Sequence, residues 1–206
     1  MHPRSLVPGP RCPVLPFPRS PVLHFLVPRV PTLTTDRLRL RPFVETDLDA
    51  YAAMCADPEV IRYLGDARPF TRDQAWRHMA MLVGHWALRR YGMWAVEEIS
   101  SGAFVGRIGC HHPEGWPEFE IGWTLCRPYW GKGYAVEGTN AAIDYAFTAL
   151  GRERVVSFIR PDNVRSIKVA ERLGERRDGE AEIAGHKVWV FALSKQRWEE
   201  MRKTHS

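Results

Sequence analysis

The sequence has few cysteines and does not arrange them in pairs. Its four, Cys12, Cys55, Cys110 and Cys126, are far apart in a chain of 206 residues and include no Cys-x-x-Cys spacing. A disulfide framework or a structural zinc site would need paired or closely spaced thiols. The pattern instead predicts reduced thiols in a cytoplasmic protein.

Long apolar runs are also missing. No stretch approaches the roughly 20 apolar residues of a membrane-spanning helix, and prolines interrupt the apolar residues near the N-terminus, unlike in a signal peptide. Nine of the 16 prolines fall within residues 1–31, and such a segment cannot propagate a helix or a central strand. We therefore expect a proline-rich disordered tail over residues 1–30, one folded domain over residues 31–206, and no membrane association.

Acidic residues are absent from residues 1–30, which hold four arginines. These four account for most of the formal net charge of +5, because 29 basic residues minus four leaves 25 against 24 acidic residues. A nucleic-acid-binding domain usually concentrates basic residues on its folded surface. A nearly neutral folded part therefore predicts no direct contact with nucleic acid.

The most informative stretch runs from residue 118 to residue 150. Residues 118–125 are apolar at every second position, which is the period of a strand with one face in a core. Residues Tyr134–Leu150 carry apolar side chains at helical spacing, and Gly151 is placed to cap that helix. Between them, Gly131-Lys132-Gly133 predicts a tight turn from a strand into a helix.

This turn suits an anion. Glycine lets the backbone approach a ligand, and the first turn of a helix presents N–H groups without intrahelical partners. The P-loop motif is excluded because Lys132 is followed by Gly133 rather than Ser or Thr, and the Rossmann motif is excluded because Val136 stands where a third glycine is needed. The turn alone is compatible with a phosphate site or with a purely structural role.

The flanking residues make the motif more specific. Trp130–Ala135, preceded by Glu120–Leu125, resembles the acyl-CoA-binding segment of the GCN5-related N-acetyltransferases (GNAT), most closely in the branch that acetylates ribosomal-protein N-termini. The resemblance continues in Arg160–Ser166 and Leu33–Arg41, and covers residues 31–202. It implies an α/β fold with a mixed, mainly antiparallel central sheet flanked by helices, in which a splayed strand pair forms the acyl-CoA cleft.

The resemblance also implies the ligand. Acetyl-CoA would be the acetyl donor, with its pyrophosphate on the glycine turn and its pantetheine arm along the preceding strand, and no metal is implied. Asn163 is expected to contact the pantetheine arm or simply to cap its helix, and Arg165 and Lys168 to meet the outer phosphate or to be solvated surface charges. The implied cofactor-binding residues are Leu125, Cys126, Arg127, Trp130, Gly131, Lys132, Gly133, Tyr134, Ala135, Asn163, Ser166 and Lys168.

Acetyl transfer to an amine needs a general base, because most amines are protonated at neutral pH. Glu120 is the candidate, since it lies on the strand face opposite the apolar residues and matches a glutamate often proposed as the base in similar enzymes. The alternative is a solvated or ion-paired strand acid. His111 and His112 are further candidates for the base or simple loop residues, and they lack the partners needed for a zinc site.

Three departures from the family pattern concern the catalytic step. Ala170 stands where many relatives have a tyrosine that protonates the leaving thiolate, so Ser166 or a water is expected to serve instead. Pro128 occupies a position where arginine or glutamine is usual. Glu175 follows Gly174, where an aromatic residue or methionine is common.

Periodicity and capping signals predict the remaining elements. The buried stripe of the helix that begins at Thr71 is expected to include Val83. The predicted helices, besides Tyr134–Leu150, are Thr46–Ala56, Thr71–Arg89, Asn163–Leu173 and Lys195–Lys203, and the predicted strands are Arg37–Arg41, Met93–Glu98, Phe104–Cys110, Glu118–Leu125, Val155–Ile159 and Val188–Leu193.

Together these features predict an enzyme that transfers an acetyl group from acetyl-CoA to a primary amine, on a protein N-terminus or a small molecule. The expected route is direct attack, with the carbonyl oxygen held by a backbone N–H near Leu125. The alternatives are a catalytically inactive acyl-CoA-binding sensor or partner-binding module, and a nucleotide-binding protein. We expect a monomer or homodimer, with Trp116 and Trp198 exposed at a possible contact.

Overall fold

The computed structural model describes residues 30–204. The predicted disordered tail, apart from its last residue, lies outside this part. Within the described residues no helix is both long and apolar enough to cross a membrane. The strands are β1 (Leu33–Thr34), β2 (Leu38–Arg41), β3 (Met93–Glu98), β4 (Phe104–His111), β5 (Glu120–Leu125), β6 (Arg154–Ile159), β7 (Arg176–Ile183) and β8 (His186–Ser194), and the helices are α1 (Leu48–Ala56), α2 (Pro58–Ile61), α3 (Arg72–Arg89), α4 (Tyr134–Thr148), α5 (Val164–Arg172) and α6 (Lys195–Thr204).

The strands form one sheet in the order β1-β2-β3-β4-β5-β6-β8-β7. Every neighbouring pair is antiparallel except β5 and β6, which are parallel. The ladder between these two is limited to the register Glu120↔Val156, with the Val156 N–H donating to the Phe119 carbonyl at 3.1 Å. The predicted mainly antiparallel sheet with one splayed strand pair is therefore confirmed.

Helices cover both faces of the sheet, and side-chain alternation assigns residues to each face. On β3, Trp94 and Val96 enter the main core beneath α4, whereas Met93 faces the smaller cluster beneath α1 and α3. All three side chains are buried, because a central strand covered on both sides exposes neither face. This layering leaves the site between β5 and β6 at the centre of the sheet.

Short-range capping positions the helices around that site. The predicted capping box at Thr71 is present, with the Thr71 N–H bonded to the Gln74 side chain at 2.8 Å. Asn163 caps α5 by accepting the Ser166 N–H at 3.2 Å. α4 begins after Gly133 without a side-chain cap, so its first N–H groups are left for another partner.

Several predictions about individual elements were wrong. Residues after Ala56 form the extra short helix α2, because Asp57 caps it and Pro58 suits its first position. Strand β7 was missed, since its mostly exposed residues show no apolar alternation and it is held by pairing with β8. Val83 is 48% exposed, since α3 buries other positions. Trp198 is half-buried, with its indole 5.3 Å from the ring of Phe147 and its N–H donating to a carboxylate.

Two helical glycines provide a matched test of this packing. In α4, a Cβ on Gly138 would lie 2.6 Å from Ile108 Cδ1, whereas on Gly84 in α3 it would meet nothing within 4 Å. Gly138→Ala should therefore lower the free energy of unfolding by about 1–3 kcal/mol through overpacking. Gly84→Ala should raise it by about 0.5–1 kcal/mol through helix propensity. Urea denaturation measures both, and equal effects of the two substitutions would contradict the packing of α4 on β4.

Candidate functional site

Two cavities meet where β5 and β6 diverge. The larger cavity has a volume of about 730 Å³ and lies among α1, α3, β4, β5, β6 and the turn between β7 and β8. The smaller cavity, of about 280 Å³, lies among α2, β5, α5 and the start of α4. Tyr63, Thr124, Asn163 and Ser166 line both. A ligand in the smaller cavity can therefore present one end to the larger one.

The glycine turn forms one end of the smaller cavity. Gly131 and Gly133 have φ angles of +75° and +82°, a conformation that favours glycine, and a Cβ on Gly131 would meet nothing within 4 Å. The uncapped N-terminus of α4 follows directly, so unpaired N–H groups and the helix dipole point outward at this end. This arrangement can hold the phosphate groups of an anionic ligand.

The turn is braced from the N-terminal side of the sheet. The Arg37 guanidinium forms an ion pair with Glu137 at 2.6 Å and donates to the Lys132 carbonyl at 3.0 Å. The Glu137 carboxylate also accepts the Thr35 hydroxyl at 2.6 Å. These contacts hold the segment around Arg37 against the glycine turn, although the two are far apart in the sequence.

The structure brings together most of the residues predicted to bind the cofactor, but not all of them. The Cys126 N–H already donates to the Val105 carbonyl at 2.8 Å, and Arg127 forms an ion pair with Asp57 at 3.2 Å. Neither these two nor Lys132 is among the residues that line the cavity, which include Leu125, Trp130, Gly131, Gly133, Tyr134, Ala135, Asn163, Ser166 and Lys168.

A row of cations on α5 borders the smaller cavity. Arg165, Lys168 and Arg172 all line it, and the Arg165 guanidinium lies 4.0 Å above the Trp130 ring. Spacings of three and four residues place these side chains on one face of a helix. Arg172 was missed, although this spacing is readable from the sequence.

Glu120 lies at the other end of the site, in the larger cavity. Its carboxylate accepts the Trp116 indole N–H at 2.9 Å. Burial raises the pKa of Glu120 to about 7, against the opposing effects of the Trp116 hydrogen bond and the charge of Arg107. A carboxylate with this pKa can accept a proton near neutral pH. The prediction that Trp116 is exposed at a contact was wrong: its side chain is half-buried, and its indole N–H bonds to Glu120.

The histidines near Glu120 are neutral at physiological pH. His111, opposite Glu120 on β4, has its pKa lowered to about 3, first by burial and then by the charge of Arg107. Burial also lowers the pKa of His78 to about 4, and this ring lies 2.6 Å from the Tyr51 hydroxyl. A base this weak is poorly matched to an ammonium proton. The lowered pKa of His111 therefore favours Glu120 as the base. His112 is not among the residues that line either cavity.

A second buried acid lies behind the site. Glu175 is 3% exposed, its Oε1 lies 3.0 Å from the Ser157 hydroxyl, and its Oε2 has no hydrogen-bond partner. Ser157 also donates to the Ile121 carbonyl at 2.8 Å, next to Glu120. Burial raises the pKa of Glu175 to about 8, with the charge of Glu120 contributing in the same direction. The only sequence signal was the unusual acid directly after Gly174.

Position 170, where the family resemblance implies a tyrosine acid, holds an alanine. Ala170 is fully buried in a small cluster with Ile159 and Phe191, so this position offers no group to the cavities. Three residues with hydroxyls line both cavities, Tyr63, Thr124 and Ser166, and Thr124 is the most buried of them. Ser166 was predicted, whereas Tyr63 follows α2, a helix that periodicity did not indicate.

The sheet and its splayed strand pair define an α/β protein with a central cleft suited to an anionic ligand, and comparison with known proteins identifies its family. Residues 37–176 match the family model described as the acetyltransferase (GNAT) domain. The chain therefore belongs to the GNAT family and is an acetyl-CoA-dependent acetyltransferase. The chain is 32% identical over 152 residues to N-acetyltransferase p20 of Bacillus licheniformis, covering 72% of this chain and 84% of that protein.

Solved structures have the same architecture. An acetyltransferase from Agrobacterium tumefaciens superimposes with a TM-score of 0.72 at 32% identity, covering 81% of this chain and 95% of its own. A GNAT-family acetyltransferase from Bacillus anthracis gives a TM-score of 0.70 at 26% identity, covering 80% and 99%. The expected fold and enzyme class are thus confirmed.

The raised pKa of Glu175 makes a testable statement about stability. Between its ordinary value near 4.3 and its folded value of about 8, the folded protein binds a proton that the unfolded chain releases. The contribution of Glu175 to stability is therefore complete at acidic pH and is lost as the pH rises through about 8. Glu175→Gln should flatten this dependence, since glutamine does not titrate.

Urea denaturation of both proteins at pH 5, 6, 7 and 8 measures this effect. The free energy of unfolding of the original protein should fall relative to that of Glu175→Gln across the series. Glu120 titrates in both proteins, so its contribution largely cancels in the difference. Parallel curves for the two proteins would show that Glu175 is not a buried neutral acid.

Proposed function

We propose that this enzyme transfers the acetyl group of acetyl-CoA directly to a primary amine, on a protein N-terminus or a small molecule, with Glu120 as general base. The observation that supports this most is the position of Glu120, a half-buried carboxylate with a pKa of about 7 in the cavity that adjoins the proposed acyl-CoA cleft. The remaining steps follow from what the chain offers around it.

In the proposed reaction the amine enters the larger cavity and Glu120 removes its proton. The amine nitrogen then attacks the thioester carbon, forming a C–N bond. The C–S bond breaks and coenzyme A leaves as a thiolate, and the second proton lost by the nitrogen is passed to that thiolate through a hydroxyl or a water. Glu120 returns the first proton to solvent, so each turnover converts one acetyl-CoA to coenzyme A and leaves the enzyme unchanged.

The carbonyl oxygen needs a hydrogen-bond donor during attack. The Cys126 N–H is engaged with Val105, which leaves the N–H groups of β5 before it as the candidates near Leu125. Because β5 pairs with β6 only around Glu120, backbone groups further along that edge of β5 are open to acetyl-CoA. The Trp130 indole, which donates to the Leu125 carbonyl at 2.8 Å, keeps this edge in place.

A cysteine-relayed route is less well supported. Burial raises the pKa of Cys126 to about 11, and burial also raises the pKa of Cys55 and of Cys110. The thiolate is the reactive form of cysteine, so thiols held in their neutral form make poor nucleophiles. Direct attack by the amine avoids this difficulty.

The proposal also covers the branch of the family and the cellular compartment. The motif around the glycine turn is most similar to the branch that acetylates ribosomal-protein N-termini, which favours a cytoplasmic enzyme whose acceptor is an amine of that kind. The reduced cysteines suit this compartment. An inactive acyl-CoA-binding module remains the alternative, favoured by the alanine at position 170.

Glu120→Gln distinguishes the enzyme from the module. The substitution keeps the shape and the hydrogen bond from Trp116 but cannot accept a proton, so kcat/KM should fall by at least about 100-fold. In the original protein kcat/KM should rise with pH around a midpoint near 7, the pKa of Glu120, and the variant should lack this limb. Steady-state assays across pH measure both, and thermal stabilisation by acetyl-CoA should be equal in the two proteins.

Glu118→Gln is the matched control. Glu118 lies just before β5 and pairs with Arg154 at 3.1 Å, outside both cavities, so its replacement should leave kcat/KM within about twofold. Full activity of Glu120→Gln would remove Glu120 from the mechanism. Stabilisation by acetyl-CoA without turnover of any amine, in the original protein, would favour the inactive module.

The acid that protonates the thiolate is tested by Tyr63→Phe and Ser166→Ala. If one hydroxyl supplies this proton, its removal should lower kcat by about 10-fold or more. The KM for acetyl-CoA should change little, since the acid acts at the leaving step. Unchanged kcat in both variants would leave the Thr124 hydroxyl, a water or unassisted departure of the thiolate.

A further inference from the structure

Arg107 in β4 lines the larger cavity without a partner of its own. The half-buried guanidinium has no ion pair and no hydrogen bond to any residue in the described part of the chain. Arg41, which is also half-buried, is held at 2.7 Å by both Asp47 and Glu97. A half-buried cation normally has such a partner, because removing charge from water is costly. Arg107 thus has an open binding capacity that faces the cavity.

The sheet register sets the distance from Arg107 to Glu120. On the two strands, Arg107 pairs with Thr124, Gly109 with Gly122, and His111 with Glu120. These residues of β4 and β5 face the larger cavity and form its floor. Arg107 and Glu120 stand at opposite ends of this floor, four residues apart, which is about 13 Å measured along the strands. Their side chains shorten that gap to the length of a small molecule.

The middle of the floor is formed by the glycine pair. A Cβ on Gly122 would lie 2.9 Å from Met93 Cε, so a larger side chain is not accommodated without displacement. Gly109 and Gly122 carry no side chain, and the surface between the two charged ends is the apolar side chain of Met93, which reaches over Gly122 from β3 and lines the larger cavity. A substrate has room to reach both Arg107 and Glu120.

The surrounding charges do not neutralise Arg107. The larger cavity is also lined by Arg68 and Arg160, against the carboxylates of Asp66 and Glu120. Burial is the largest cause of the shifted pKa values of His78, His111 and Glu120, and the charge of Arg107 lowers all three. The field of Arg107 thus extends across the cavity, where it also favours the neutral form of an amine.

We propose that the acceptor is an amine that also carries a carboxylate, and that Arg107 binds this carboxylate while the amine meets Glu120. A guanidinium presents paired N–H donors that match the two oxygens of a carboxylate. The acceptor is then a free amino acid, or a peptide whose acidic side chain or terminus lies near the reacting amine. This inference rests on the proposed acetyl transfer and names the class of its acceptor.

Matched acceptors test it. The members of each pair differ only in whether their carboxyl groups are free or amidated: β-alanine against β-alaninamide, glutamate against glutamine amide, and a C-terminally amidated peptide with aspartate against the same peptide with asparagine at its second residue. We expect kcat/KM to be about 10- to 100-fold higher for the charged member of at least one pair. The first two pairs and the peptide pair separate a free amino acid from a peptide as the source.

Substitutions show whether Arg107 causes the preference. Arg107→Gln should remove it, because KM rises for the charged acceptor only, whereas any change in the pKa of Glu120 affects both members of a pair alike. Arg107→Glu should reverse it in favour of a diamine such as 1,4-diaminobutane. The control is Arg77→Gln, whose exposed guanidinium on α3 pairs with Asp73 away from both cavities, and it should leave the ratio unchanged. Thermal stabilisation by acetyl-CoA verifies that each variant is folded.

Two results would overturn the inference. One is equal kcat/KM for both members of every pair in the original protein, and the other is an equal loss for both members in Arg107→Gln. If acetyl-CoA stabilises the protein but no amine is turned over, acetyl transfer to an amine fails separately. The carboxylate site is then tested by the rise in melting temperature that glutamate causes in the coenzyme A complex. A rise in the original protein that disappears in Arg107→Gln supports the site, and no rise in the original protein overturns it.

Discussion

The divergence of β5 from β6 is the constraint on which the site depends. Two parallel strands that stay paired would satisfy each other's backbone groups and leave no cleft. Here the ladder is limited to the region of Glu120 and Val156, and beyond it β5 runs along a cavity. The Ser157 hydroxyl and the Trp130 indole bind the carbonyls of Ile121 and Leu125, so this edge is held open by side chains.

The second theme is the effect of burial on charge. In the larger cavity burial moves carboxyl and imidazole groups towards their neutral forms, because the charged form loses its hydration. Glu120 is left near its midpoint at neutral pH, whereas His78 and His111 are neutral. An arginine cannot respond in this way, since its pKa is too high. Arg107 therefore stays charged, as do Arg68 and Arg160 at the same cavity, while the carboxyl of Glu120 and the two imidazoles respond to burial.

Much of the fold was predictable because its signals are local. The capping box at Thr71, the glycine turn at Gly131 and the alternation along β5 each depend on residues that are close in sequence. β7 was not predictable in this way, because its residues are mostly exposed and its conformation depends on hydrogen bonds to β8. Val83 shows a related limit, since helical spacing does not say which of two apolar stripes meets the core.

The sequence by itself determined the family, the glycine turn between β5 and α4, and the identity of Glu120 as a candidate base. Only the tertiary structure decided which side chains surround that base: Trp116 above it, Glu175 behind it and Arg107 across a floor of paired glycines. The physical reason is that pKa values and open charges depend on burial and on the register between distant strands. Neither quantity is contained in the spacing of residues along one segment.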